Sequence, residues 1–314
     1  MTGDFTIHRR WFWYDFLLWS STKNNQIRVV RIGFACAHVA LSAGAKAVII
    51  ADLRLTPEGE KMVTENEHVI FEKCDVAKWK DLQNVIDGSI THFGDVPDIY
   101  IASAGVFEPP YSNFWDDPEG LDANGYKAVD INVNHPIKLT RLAMRALLGK
   151  SKRGVVAIVA SIAGYSKQYP APIYSATKHA LVGFTRSLGD ADALQGVRVV
   201  AICPGIVATP IWTTGTPGSG ERFGITDEIS ITPSEVANAL FETVKSAKYP
   251  GGTIMEVSKL GTRVIPEWHI APVGEIDGKM AEGSDIPSDA IQRVLGSILQ
   301  VTEHERGALL QKAS

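Results

Sequence analysis

Short runs of β-branched and apolar residues alternate along the chain with longer stretches in which apolar positions recur every three to four residues. Ala47-Val48-Ile49-Ile50-Ala51 predicts a buried strand, followed by a polar turn and a helix over about 56–65. His68 to Lys73 predicts the next strand, with a helix over about 78–91 after it, and Asp98 to Ser103 a strand that runs into Ala104-Gly105. A loop of about 15 residues precedes a long helix near 121–148. Val155 to Ala160 reads as a strand before a helix across about 173–190, and Val199 to Ile202 as the core of a strand ending at Pro204-Gly205. A Gly/Pro/Thr-rich loop from Trp212 to about Thr232 leads to a helix over 233–246, and Ile254-Met255-Glu256-Val257 closes the set. Near-continuous apolar strands joined by helices of about ten or more residues are what a parallel sheet covered on both faces requires. The pattern predicts an α/β fold: a doubly wound parallel sheet, Rossmann-like, in a single domain.

The ends of the chain break this rhythm. Trp11-Phe12-Trp13-Tyr14-Asp15-Phe16-Leu17-Leu18-Trp19 follows the basic pair Arg9-Arg10. It carries Asp15 and falls short of the roughly 18 apolar residues of a bilayer crossing, so it reads as an arm packed on the body or an irregular first strand. From Ala271 the chain is more polar, with Gly274, Gly278, Gly283 and Pro287 as breakers before short helices at about 288–300 and 303–312. The expected division is residues 1–20 as an atypical N-terminal arm, 21–270 as the sheet domain and 271–314 as a C-terminal extension.

Composition narrows the function classes. In 314 residues, 31 Lys and Arg stand against 35 Asp and Glu, a formal charge of −4, and 45% are hydrophobic. That argues against disorder and against a nucleic-acid partner. Cys36, Cys74 and Cys203 lie far apart, with no spacing that suggests a metal site or a disulfide framework. Together with the short apolar run they place the protein, by expectation, in the cytoplasm.

Ligands of doubly wound sheets bind beyond the carboxyl ends of the strands, so the chemistry is sought there. Tyr174-Ser175-Ala176-Thr177-Lys178 sets Tyr174 and Lys178 at i and i+4 on one face of a predicted helix. An ammonium near a phenol favours the phenolate, which lets a tyrosine act as a base. Ser161 directly follows the strand Val155 to Ala160, and Asn132 lies in the long preceding helix.

With Ser161 thirteen residues before Tyr174 and Asn132 in Asp130-Ile131-Asn132-Val133, the chain resembles the short-chain dehydrogenase/reductase family, whose active site is an Asn, Ser, Tyr and Lys set. Ser161-Ile162-Ala163-Gly164, Ile202-Cys203-Pro204-Gly205, and Val207 with Thr209 match further family positions in order. Within the family, Ser175 to Arg186, Gly196-Val197-Arg198 and Gly252-Thr253-Ile254-Met255 are similar to the NAD-dependent 15-hydroxyprostaglandin dehydrogenase group. That group carries a substrate-contacting glutamine three residues before the tyrosine, where this chain has Ala171.

The resemblance implies hydride transfer between a nicotinamide and a secondary alcohol or ketone. Tyr174 would be the acid/base, Ser161 would bind the substrate oxygen, and Lys178 would hold the tyrosinate and the nicotinamide ribose. Asn132 would order a water relay toward the lysine. It also implies a homodimer or homotetramer built on the long helices, and a small apolar substrate beneath the loop from Trp212, lined by Pro210, Trp212 and Phe223.

The cofactor-binding set expected from the resemblance is Gly33, Asp52, Asp75, Ala104, Gly105, Tyr174, Lys178, Pro204, Gly205, Val207 and Thr209. Asp52 ends a strand, where a carboxylate accepts both ribose hydroxyls of NAD and repels a 2′-phosphate, so NAD is the expected cofactor. Arg54, two residues on, is a cation that a phosphate would meet if Asp52 turned away. The family's Asn-Asn-Ala-Gly stretch reads Ala102-Ser103-Ala104-Gly105 here. The first unit departs furthest. Of a Thr-Gly, three residues, Gly-Ile-Gly pattern only Ile32-Gly33 is present, and the earlier glycine positions fall on Ile27 and Arg31. Side chains there would occupy cofactor space, although an arginine at 31 would also reach a pyrophosphate. The alternative reading is therefore a non-catalytic scaffold or binding protein of the same fold that has lost cofactor binding.

Overall fold

In the computed structural model the backbone is described for residues 15–19, 31–212, 217–267, 275–276, 279–280 and 290–310, and side chains for 31–212, 217–267 and 294–310. The first half of the sheet domain comprises β1 Asp15–Trp19, α1 Ile32–Ser42, β2 Ala47–Asp52, α2 Pro57–Glu65, β3 Val69–Lys73, α3 Trp79–Phe93 and β4 Ile99–Ala102. The second comprises α4 Lys127–Val129, α5 His135–Gly149, β5 Gly154–Val159, α6 Pro172–Ser187, α7 Ala191–Gln195, β6 Val197–Pro204, α8 Ser219–Arg222, α9 Pro233–Lys245, β7 Ile254–Ser258 and β8 Gly261–Val264. Beyond them lie β9 Glu275–Ile276 and β10 Lys279–Met280, a separate antiparallel pair, and α10 Ala290–Glu305.

The eight-stranded sheet has the order β3-β2-β1-β4-β5-β6-β7-β8 and is parallel except for β8, which turns back on β7. This is the doubly wound α/β architecture that the alternation predicts. Every residue of β2 and of β6 is buried, as strands sandwiched between two helical layers must be. One core packs Leu82, Val85, Leu139, Leu147 and Leu181 against one face. The other packs Ala37, Ala40, Val236, Leu240 and Phe241 against the opposite face, where α1 lies on α9.

One open alternative closes and three local expectations change. Of the two readings of the aromatic run, the first strand is the one seen for its last five residues, since Asp15–Trp19 pairs in parallel with both β2 and β4. Residues 121–126 are not helical: Asn124-Gly125 breaks the chain there, with Gly125 at φ +154°. The last strand expected from the sequence is followed by another, β8, whose four residues are all exposed and carry no apolar alternation to announce them. The two C-terminal helices are one, α10, which packs on α5 through Glu305 with Arg141 and Arg145. Part of the α5 surface expected to meet another subunit therefore meets the chain's own C-terminal segment. Residues 1–14, Ile27, and the breakers Gly274, Gly278, Gly283 and Pro287 lie outside the described residues.

Candidate active site

A cleft of about 110 Å³ opens beyond the carboxyl ends of the parallel strands. Its walls come from the turns after β4, β5 and β6 and from the start of α1, which is where such a sheet leaves its crevice. Ser161 follows β5 directly. Its Oγ accepts the Ala163 N–H at 3.1 Å, and this cap starts the tight turn Ile162–Gly164. Gly164 must be small: a Cβ there would stand 2.7 Å from the Lys178 carbonyl oxygen, so glycine lets the turn lie against α6. Ser175 Oγ closes the same contact from the helix side by donating to the Ala163 carbonyl at 3.2 Å.

The i, i+4 spacing delivers Tyr174 and Lys178 to one face of α6, with the lysine Nζ 5.5 Å from the phenol ring centroid. Lys178 is 4% exposed, and its ammonium donates to the Val159 carbonyl at 3.0 Å. Tyr174 and Ser161 both border the cleft, and the nearby Ser161 hydroxyl favours the phenolate.

The electrostatics differ from the sequence expectation. Desolvation outweighs the Ser161 hydrogen bond and pushes the Tyr174 phenol up to about 12. The same burial brings the Lys178 ammonium down to about 8. Both groups move toward their neutral forms, because the surrounding protein withholds water from each charge. The i+4 lysine therefore does not by itself depress the phenol, contrary to the simple pairing argument.

Asn132 sits in a π-helical turn, Asp130–Asn134, between α4 and α5. It is fully buried. Oδ1 accepts the Val106 N–H at 2.9 Å, while Nδ2 donates to the Val106 carbonyl at 2.9 Å and to Thr177 Oγ1 at 3.1 Å. The side chain thus bolts the loop after β4 to α6. Gly105 lies alongside, and a Cβ there would touch Asn132 Oδ1 at 3.4 Å and Lys178 Nζ at 3.6 Å. The missing side chain leaves room beside the lysine.

Of the expected cofactor residues, Gly33, Gly105, Tyr174, Lys178, Pro204, Gly205, Val207 and Thr209 line the cleft. Ser103, Ile211 and Arg31 line it too, together with Pro210 and Trp212. Ala104 is buried behind the wall. Asp75 does not reach the cleft; it receives the Ala77 N–H at 3.2 Å at the entry to α3.

Asp52 also lies off the cleft. It ends β2, 4% exposed, with Oδ1 accepting the Leu53 N–H at 2.6 Å and Oδ2 held by Arg31 Nη1 at 3.2 Å. Arg31 opposes burial but does not overcome it, and the Asp52 carboxyl is pushed up to about 6. The arginine standing at a glycine position has thus turned to the carboxylate expected to bind ribose. Sequence reasoning considered a pyrophosphate for Arg31 and missed this pair, because its partners are 21 residues apart.

Above the phenol, Phe107 stands 4.8 Å from the Tyr174 ring and 4.8 Å from Trp212, with Phe223 at 5.3 Å. Phe107 carries no motif that would have drawn attention to it. The three free cysteines are buried. Among the described residues no helix is long and apolar enough to cross a membrane.

Known proteins resemble this chain in family and in fold. A family model described as short chain dehydrogenase matches residues 31–218. The chain is 31% identical over 199 residues to the short-chain dehydrogenase/reductase prx4 of Penicillium roqueforti, a match covering 60% of this chain and 57% of that relative. It is 30% identical over 208 residues to 15-hydroxyprostaglandin dehydrogenase [NAD(+)] of Rattus norvegicus, covering 62% and 73% respectively. In three dimensions it is similar to 3-ketoacyl-(acyl-carrier-protein) reductase from Brucella melitensis, a structure complexed with NADH. The TM-score is 0.62 at 24% identity, over 78% of this chain and 96% of that one, a likeness of fold.

Proposed function

The chain belongs to the short-chain dehydrogenase family, and we propose that it is an NAD(H)-dependent oxidoreductase that interconverts a secondary alcohol and a ketone, with Tyr174 as the acid/base. The observation that carries the reading is that Ser161, Tyr174 and the buried Lys178 line one cleft at the ends of the parallel strands, with the lysine Nζ 5.5 Å from the phenol ring centroid.

The nicotinamide supplies the hydride chemistry; the protein supplies position and proton control. Ser161 Oγ and the Tyr174 hydroxyl converge on the point where a substrate oxygen would sit. With the phenol pushed up to about 12, Tyr174 holds its proton at neutral pH, the state that donates to a ketone oxygen. Lys178 then faces the phenolate left behind, and the attraction between them in a dry site lowers the cost of forming it. In the reverse direction that phenolate takes up the alcohol proton. Asn132, with both amide donors committed to Val106 and Thr177, keeps the loop and helix in register. Gly33, Gly105, Pro204, Gly205, Val207 and Thr209 would hold the dinucleotide along the cleft floor. The aromatic group Phe107, Trp212 and Phe223 favours an apolar substrate.

Asp52 at the end of β2 supports NAD as the cofactor, provided that Arg31 releases it to the ribose hydroxyls. The same pair favours the second reading, a binding protein of this fold that no longer takes a dinucleotide. Calorimetric titration of the folded protein with NADH and NADPH in parallel separates the two. Selective NADH binding followed by Tyr174-dependent turnover of secondary alcohols or ketones supports the enzyme. Heat from neither nucleotide, with a cooperative thermal transition intact, sinks it.

A further inference from the structure

Glu108 lies in the loop leaving β4, three residues after Gly105, and is 3% exposed. Its backbone has φ +34°, a conformation that a non-glycine residue keeps only where its surroundings hold it. Those surroundings include the start of α6. That helix begins without a cap of its own: Ala171 at the cap position has no side-chain acceptor, and Pro172 has no N–H. The backbone N–H of Tyr174 is then a first-turn donor in need of a partner. Glu108 Oε1 accepts it at 3.1 Å, across 66 residues of sequence. Glu108 Oε2 accepts the Phe114 N–H at 3.1 Å, and the Glu108 carbonyl accepts Asn113 Nδ2 at 3.1 Å. A carboxylate at this end of a sixteen-residue helix is also favoured by the helix dipole. The preceding residue is Phe107, edge-on to the Tyr174 ring. One dipeptide therefore contacts Tyr174 at both its backbone and its ring.

We propose that Glu108 is a positioning residue: by taking up the Tyr174 N–H it fixes the first turn of α6, with Phe107 setting the ring, so that the phenol meets Ser161. This rests on the assignment of Tyr174 as the acid/base.

The test uses the full chain with Glu108→Ala, Glu108→Gln and Asn113→Ala. It reads kcat and KM for ketone and NADH, and amide hydrogen exchange over residues 172–178. Glu108→Ala is expected to lower kcat about 10- to 100-fold, the cost of slightly misplaced reacting groups, with KM for NADH little changed and exchange faster in that turn. Glu108→Gln keeps one acceptor oxygen and recovers part of both effects. Asn113→Ala loosens the same loop yet leaves the bond to Tyr174, so it keeps wild-type kcat and exchange. Equal losses in Asn113→Ala, or unchanged kcat or exchange in Glu108→Ala, overturn the proposal. If Glu108→Ala does not fold, Glu108→Gln against Asn113→Ala decides by the same readouts. If the wild type turns over no substrate, the acid/base assignment fails on its own; faster first-turn exchange in the Glu108 variants then still upholds the tether, and unchanged exchange overturns it.

Discussion

The turn after β5 and the end of β2 solve opposite problems. After β5 and on α6, Ser161, Tyr174 and Lys178 are brought together by a short turn, a close glycine contact and backbone hydrogen bonds, and all three line the cleft. At the end after β2, Asp52 is equally buried, but its carboxylate is already engaged by Arg31. The contrast teaches that a polar group at a strand end becomes a binding site only if its hydrogen-bonding capacity is kept for the ligand. Tyr174 and Ser161 both line the cleft; Asp52 lies off it, paired with Arg31.

The comparison can be broken or sharpened by substitution. Tyr174→Phe removes the proton carrier and should cut turnover by about 10²–10⁴-fold while NADH affinity, read by calorimetry, stays near wild type. Loss of binding as well would mean that the two ends are not separable. Next in size is a pH effect at the other end. The folded-state carboxyl of Asp52 is raised from 3.8 to about 6, so its contribution to stability is present at low pH and is lost as pH rises through that window. In thermal or denaturant unfolding, Asp52→Asn should gain on the wild type between those pH values, by up to about 3 kcal/mol from a shift of about two units. A pH-independent difference would mean that Arg31 fully compensates the burial.

Gly164→Ala drives a methyl into the Lys178 carbonyl and should lower stability by about 1–3 kcal/mol in a denaturant melt. It should also lower kcat, because the displaced turn carries Ser161. The smallest effect is expected for Arg31→Gly, which frees Asp52 and the cleft beside Gly33. NADH should bind about tenfold tighter, roughly 1.4 kcal/mol, and an unchanged or weaker isotherm would remove the ion pair as the obstacle.

The Ser161, Tyr174 and Lys178 end is legible in the sequence, and the Asp52 end is only partly so. Ser161, Tyr174 and Lys178 are legible because their geometry is local: one strand end, one helix, a spacing of four. The alternation of apolar runs gives the sheet for the same reason. Glu108 and the Arg31–Asp52 pair were out of reach, since each depends on residues far apart in the chain meeting in space. Glu108 is also followed by Asp116, Asp117 and Glu119 in what reads as an ordinary solvated loop. The first strand was ambiguous because aromatic residues crowd a segment where β-branched ones are usual, and β8 because a four-residue exposed strand has no period to detect. The shift of Tyr174 and Lys178 toward neutrality needed the burial of α6, which spacing alone does not report.

The position of β1 gives the fold a point of fragility. It lies between β2 and β4, with parallel ladders on both sides, so it joins two otherwise separate half-sheets. If those five residues were withdrawn, β2 and β4 would face each other across about 10 Å, two strand spacings, each with a row of unsatisfied amides and carbonyls. Such open edges attract foreign strands. Any redesign of the residues around the first turn, including one meant only to admit a nucleotide, has to keep a strand in this slot or it will leave two unpaired edges in the middle of the sheet.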